Sequence, residues 1–360
     1  MAPRMADNAT VADAPADVPP MKRKVTIRDV AQEAGVSLGT ASRALNRSGR
    51  VSEATVAAVA KVARRLGYEP DVVARSLRTR SSGVIGLLIS DMANPFYAGV
   101  ISAAEAELQA AGYALLIANT HNDAKRQKAL IDLYRSHRVD GLLLGPCLGE
   151  DPAQLEQLQR DGPVVVLDRE LGAAGSGVHV DHHGGALQAT RYLLNLGHTR
   201  IALLTTGREL RPGRERLAAF EEAHRERGLA PVPKLVRAER SAMEFAFSEA
   251  LALLSLPEPP SAFMCLGTRI LAGALHAIRH AGRSVPGDAS VVSIGDTDLS
   301  QLFAPAITSL SWDLAAAGKS MAQLMLKRLD GPADLEPERI VITTQLVLRE
   351  SCGPAPRSRA

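Results

Sequence analysis

Gly39, Arg43 and Asn46 are spaced i, i+4, i+7 within "GVSLGTASRALN", residues 35–46. On a helix that spacing sets a bare backbone, a guanidinium and a carboxamide along one stripe. Such a stripe can hydrogen-bond a polyanion, and it holds no nucleophile. A glycine inside a helix costs about 1 kcal/mol relative to alanine, so Gly39 implies something that must come close to the backbone. Asp181, His182 and His183 stand together, yet no further Cys or His follows at ligand spacing, and no metal is expected. Cys147, Cys265 and Cys352 are far apart and form no CxxC pair, which points to a reducing compartment. No nucleophile elbow, phosphate loop or paired-carboxylate signature stands out, and neither enzyme activity nor a cofactor is expected.

The charge is distributed to suit this chemistry. Over 360 residues the net charge is +3, with 46% hydrophobic and 22% charged residues. Residues 21–80 carry thirteen Lys/Arg against five Asp/Glu, so the rest of the chain is mildly acidic. A basic block on an acidic body is the footprint of a nucleic-acid module; a solvated basic face is the alternative. The first twenty residues are rich in Ala, Asp and Pro and lack the apolar centre of a secretory signal. Residues 1–24 are read as a disordered tail, and Met1, Met5 and Met21 are all possible starts. No apolar run approaches a membrane span.

Three helices must position the stripe. Thr26 with Asp29 resembles a capping box, and Ile27, Val30, Ala31 and Ala34 share a face. Gly35 ends that helix, Ser37 caps a second with Ala41, Ala44 and Leu45 inward, and Ser52 caps a third that ends at Gly67. A short Gly-containing turn between the first two makes a helix-turn-helix over residues 25–70, or, on the plainer reading, a three-helix packing unit. In a helix-turn-helix the second helix enters the major groove, where Gly39 lets backbone and duplex approach. Residues 71–82 form a short hinge helix and linker, with Asp71 as cap and Val73 and Leu77 at i, i+4. After Gly83 the runs "VIGLLIS", "YALLIAN", "VDGLLLG", "PVVVLD", "RIALLTT", "AFMCLG" and "SVVSIG" alternate with helical stretches. Near-continuous apolar runs fit strands of a parallel α/β sheet.

The stretches "VTIRDVAQEAGVSLGTASRALN", "LGYEPDVVARSL" and "GVIGLLISDMANPFYAGV" resemble the lac-repressor (LacI/GalR) family of bacterial transcription regulators. The resemblance runs from about residue 25 to 352. It implies an α-helical DNA-binding domain joined to a two-lobed, periplasmic-binding-protein-like α/β domain. The N-lobe would hold about 83–179 and 312–342, the C-lobe about 180–311 and 343–352, and a tail 353–360. It makes Leu38 and Gly39 variable base-reading positions and Arg43 the arginine that reaches a guanine edge. Thr26, Ser37, Thr40, Ser42 and Asn46 match phosphate-holding positions, and Arg50 is counted with the DNA-binding set. Ala74 and Leu77 match the hinge-helix contact and the leucine wedged into the central base step.

For the effector cleft the resemblance carries over Asn94, Phe96, Asp168, Arg216 and Asp296. Where the family usually has Asn-Asp this chain has Gly267-Thr268, followed by Arg269, and Arg240 stands where an aromatic often stacks on a sugar. An acid lost and arginines gained suggest an anionic effector such as a sugar acid. Alternatively, Arg240 and Arg269 are surface or lobe–lobe ion pairs. The expected protein is a cytoplasmic homodimer that binds a near-palindromic duplex, nucleoid-associated when DNA-bound, and answers to a small molecule. No heptad tail follows that could join dimers into tetramers. The rivals are a periplasmic-type solute-binding protein and a sugar-processing enzyme on the same scaffold.

Overall fold

The computed structural model describes residues 25–46, 48–69, 81–149, 152–169, 175–332 and 335–356. The chain divides into two units, residues 1–78 and 79–360. The hinge positions Asp71, Ala74 and Leu77 and the N-terminal tail lie outside the described residues.

The first unit is built from α1 (Ile27–Glu33), α2 (Leu38–Leu45) and α3 (Glu53–Leu66). Each start is locally encoded. Thr26 and Asp29 close a reciprocal capping box, and Ser37 and Ser52 accept from the Thr40 and Thr55 amides. Gly35 and Gly67 take φ of +64° and +65°, a left-handed turn that stops a helix at little cost in glycine. Val30, Ala31, Ala41, Ala44, Val59 and Ala63 form the small core. Alanines dominate it because three short helices must approach closely to bury anything.

The second unit begins with β1 (Val84–Ile89), α4 (Pro95–Ala110), β2 (Ala114–Asn119), α5 (Ala124–Ser136), β3 (Gly141–Leu144), α6 (Pro152–Asp161), β4 (Val164–Leu167) and β5 (Ser176–Val180). It continues with α7 (His182–Asn195), β6 (Ile201–Thr206), α8 (Arg211–Glu226), β7 (Val236–Glu239), α9 (Met243–Leu254), β8 (Ala262–Leu266), α10 (Thr268–His280), β9 (Ser290–Ile294), α11 (Asp298–Leu302) and β10 (Thr308–Ser311). The last elements are α12 (Leu314–Asp330), β11 (Arg339–Ile342) and β12 (Gln345–Val347).

The strands make two sheets, ordered β11-β5-β4-β3-β1-β2 and β12-β10-β9-β8-β6-β7. All pairings are parallel except β10 with β12. The chain passes from the first sheet to the second after β5, returns through α12, and passes back between β11 and β12. Each lobe has its own cores, Leu87, Leu143, Val165 and Met321 in one and Phe220, Phe263, Val291 and Leu310 in the other. Helix α12 lies directly on α4: a Cβ at Gly318 would sit 2.1 Å from the Val100 carbonyl oxygen.

Residues 353–356, read from the sequence as tail, are tied to the second lobe. Buried His198 contacts the Gly353 carbonyl through Nε2 at 3.0 Å, the Gly353 amide donates to Ser290 Oγ, and the Ala355 amide donates to the Leu196 carbonyl. The buried His198 ring needs a polar partner, and this segment supplies it.

Candidate functional site

On α2 the residues of the polar stripe are all on the outside. Leu38 is 45% exposed, and Gly39, Arg43 and Asn46 are exposed, as are Thr26, Ser37 and Arg50. Thr40 and Ser42 are half-buried. Several are already held in place: Asn46 Nδ2 donates to the Ser42 carbonyl at 2.8 Å, and the Ser37 and Thr40 hydroxyls meet at 2.9 Å. The eight-residue helix α2 presents its Ser37-capped N-terminus beside these groups, a favourable end for an anion. A Cβ added at Gly39 would meet only Ser37 Oγ, 3.9 Å away. The fold therefore does not require the glycine. Gly39→Ala is expected to raise the unfolding free energy by up to about 1 kcal/mol while changing which duplexes are preferred. Thermal denaturation and competition binding check this; a destabilised variant with unaltered preference would make Gly39 structural.

In the second unit a cleft opens between the two lobes at the carboxyl ends of the strands. Ser90, Pro146 and Asp168 line it from β1, β3 and β4; Thr206, Ser241, Gly267, Ile294 and Trp312 line it from the other sheet. Its volume is about 130 Å³. Phe96 and Trp312 meet edge to face at 5.9 Å, and Phe96 also packs on Tyr97. Tyr97 shares a 2.9 Å hydrogen bond with Ser90, and burial pushes its hydroxyl up to about 12.

A buried polar network crosses the cleft. Arg216 Nη1 donates to the Leu266 carbonyl at 2.8 Å, and its Nη2 lies 3.2 Å from His182 Nδ1. A guanidinium can only donate, so Nδ1 is the acceptor, and the ring is neutral with its proton on Nε2. That nitrogen donates to Asp168 Oδ2 at 3.0 Å. Asp168 Oδ1 accepts from the Val180 amide at 2.7 Å and from Arg211 Nη1 at 3.1 Å. Burial drives the His182 pKa below its ordinary value, against the pull of Asp168. Burial alone would raise the Asp168 carboxyl, but His182, the Val180 amide and Arg211 outweigh it and hold it low. Arg216 falls to about 10 through burial and stays a cation at neutral pH. Two donors on side chains that line the cleft, Arg216 Nε and Trp312 Nε1, are buried without a partner among the described residues.

The structure brings Asn94, Phe96, Asp168, Arg216 and Thr268 to this cleft. Asn94 caps α4 and its Oδ1 also accepts from Thr268 Oγ1 at 2.8 Å, one lobe to the other. Three other expected cleft residues point elsewhere in this structure, Arg240 and Arg269 in the manner of the surface and lobe–lobe alternative. Arg240 is exposed and lies off the lining. Arg269 faces Asp91 of the other lobe at 4.0 Å. Asp296 is turned to Arg349 Nη2 at 2.7 Å. Each of these charges sits where solvent or an opposite charge solvates it better than the cleft would. His182 and His183 diverge, the first to Asp168 and the second to Glu222 at 3.1 Å. No group of three potential ligands gathers around one metal position among the described residues.

The sequence pattern of bacterial regulatory proteins of the lacI family matches residues 26–71, and that of a periplasmic binding protein-like domain matches residues 190–352. The HTH-type transcriptional regulator CelR of Thermobifida fusca is 33% identical over 342 residues, 92% of this chain and 99% of that one. The chain belongs to the lacI family. A solved CelR–cellobiose complex is similar to this regulator at 30% identity and a TM-score of 0.69, covering 91% of this chain and 100% of that one. The lac repressor dimer bound to operator and the anti-inducer ONPF is similar at 25% identity and a TM-score of 0.82, covering 92% and 100%. The regulator thus pairs a DNA-binding helix-turn-helix with a two-lobed α/β domain. No helix among its described residues is long and apolar enough to cross a membrane.

Sequence reasoning missed His182 and Trp312 in the regulator's cleft, and Arg211 as a partner of Asp168. "DHH" at 181–183 and the only tryptophan of the chain were the available signals. Both lie where the chain passes between the lobes, and such a segment faces the cleft by construction.

Proposed function

We propose that this chain is a homodimeric repressor that binds a near-palindromic operator in the bacterial cytoplasm. Its small-molecule effector is an acidic, hydroxyl-bearing ligand of one sugar ring. The observation that carries the effector class is the pair of buried orphan donors, Arg216 Nε and Trp312 Nε1, on two side chains that line one cleft. Unmet donors call for acceptor oxygens, and a guanidinium favours a carboxylate over a hydroxyl. Phe96 and Trp312 offer an apolar face for a ring. The cleft is near the roughly 150 Å³ of a cavity that holds benzene, so a single ring fits it and a disaccharide needs the lobes to part.

Trp312, the sole tryptophan, reports on the cleft. Its fluorescence is titrated with a hexose and with the corresponding ring-closed hexuronic acids. The acids are expected to bind at least tenfold more tightly; equal response to the neutral sugar would sink the acidic class. On the DNA side, duplexes enriched by the intact chain from a randomised pool serve as probe. Arg43→Ala is expected to cost roughly 1–3 kcal/mol and to relax preference at a single base pair. Uniform weakening on every duplex would make Arg43 a phosphate contact.

A further inference from the structure

The loop ahead of β3 holds a carboxylate that none of the chemistry above uses. Asp140 Oδ2 accepts from Ser81 Oγ at 2.6 Å and from the Gly83 amide at 2.8 Å. Its Oδ1 accepts from the Ser82 amide at 2.8 Å and from Ser82 Oγ at 3.1 Å. Four donors from three consecutive residues therefore wrap one side chain nearly sixty positions away. Two successive amides turned to one anion form a backbone nest, and the turn needs the φ of +71° at Gly83. The backbone closes the same clasp: the Asp140 amide donates to the Val84 carbonyl and the Ala114 amide to the Gly83 carbonyl, both at 2.8 Å. Charge-assisted bonds of this number are stiff as well as strong.

Residues 81–83 are where the chain enters the two-lobed domain from the hinge segment. We propose that Asp140 is a positioning residue, which pins the point where the DNA-reading arm leaves this domain and so sets the separation of two arms in a dimer. The inference rests on the dimeric DNA-binding reading above. β3 and β1 are neighbours in the first sheet, with Gly141 in register with Ile85. Asp140 therefore ties the exit point to the sheet that carries Ser90 and Asp168 into the cleft. A loose exit point would let each arm find its half-site with less regard for the distance between them.

The test uses the intact chain and duplexes enriched by it from a randomised pool, remade with zero, one and two extra base pairs between half-sites. Asp140→Asn keeps the size and loses the charge; Ser81→Ala with Ser82→Ala removes two donors and leaves Asp140 in place. The native chain is expected to prefer one spacing by at least tenfold, and both variants to reduce that ratio at least threefold. Asp140→Glu, with the carboxylate one methylene further out, should not restore it. A general loss of folded protein would weaken all spacings equally, so the ratio separates positioning from stability. An unchanged ratio in both variants overturns the role of Asp140 while leaving the dimer reading intact. A native chain indifferent to spacing overturns the dimer reading and this inference with it.

Discussion

Asp168→Asn is expected to lower the unfolding free energy by about 3–5 kcal/mol, the cost of leaving a buried cation without its anion. The substitution isolates charge. Asp168 sits at φ +51°, and asparagine accepts that left-handed conformation as readily as aspartate does. Size is conserved, but both carboxylate oxygens take donors: the Val180 amide and Arg211 on Oδ1, and His182 on Oδ2. An amide can accept on one side only and turns its NH2 toward a donor on the other. Arg211 keeps Glu215 at 2.7 Å, whereas Arg216 keeps only neutral partners. Urea unfolding followed by Trp312 fluorescence measures the loss. The same variant should lose its response to the acidic ligand, because the cleft geometry depends on this network. A loss under about 1 kcal/mol would show that water already relaxes the site.

Mild acid is expected to be the second large destabiliser. His182, His198 and His224 are 3%, 1% and 1% exposed, and burial lowers the pKa of each. A base with a depressed folded pKa binds fewer protons folded than unfolded, so stability rises with pH. The contribution is complete above the ordinary histidine value near 6.5 and is lost as pH falls from there through the folded values. Each group can contribute a slope of at most about 1.4 kcal/mol per pH unit, so the three together reach about 4. Asp168, held low, contributes only below the usual carboxylate value near 3.9. Between pH 6.5 and 5 the loss therefore belongs to histidines. Denaturation midpoints across this window should fall steeply in the native chain and less in His198→Asn. Stability that is flat from pH 7 to 5 would contradict the neutral, buried state of the three rings.

Helix starts and stops were legible because their causes lie within three or four residues. Thr26 with Asp29, Ser37 with Thr40, Ser52 with Thr55 and the glycines at 35 and 67 act on their own backbone neighbourhood. Six of the seven apolar runs were legible because strands buried on both faces must be apolar throughout, while β2, at a sheet edge, keeps an apolar run with Leu116 41% exposed. The same rule hid β5 "SGVHV", β7 "VRAE", β10 "TSLS" and the edge pieces β11 and β12. In β10 the hydroxyls are buried because partners arrive from elsewhere: Ser309 Oγ meets Ser293 Oγ at 2.7 Å, and the Thr308 amide donates to Ser351 Oγ.

The chain by itself thus determined the class of protein, the exposed polar face of α2 and the alternation that builds two α/β lobes. Only the tertiary structure decided which ionisable side chains share the cleft. Asp168, His182 and Arg216 are far apart in sequence and meet at the lobe crossing, while Arg240, Arg269 and Asp296, equally plausible by position, do not join them. The reason is energetic. A helix cap or an apolar strand is satisfied by its neighbours in the chain. A charge goes wherever the folded molecule supplies its counter-charge or water, and that place exists only once distant segments have packed.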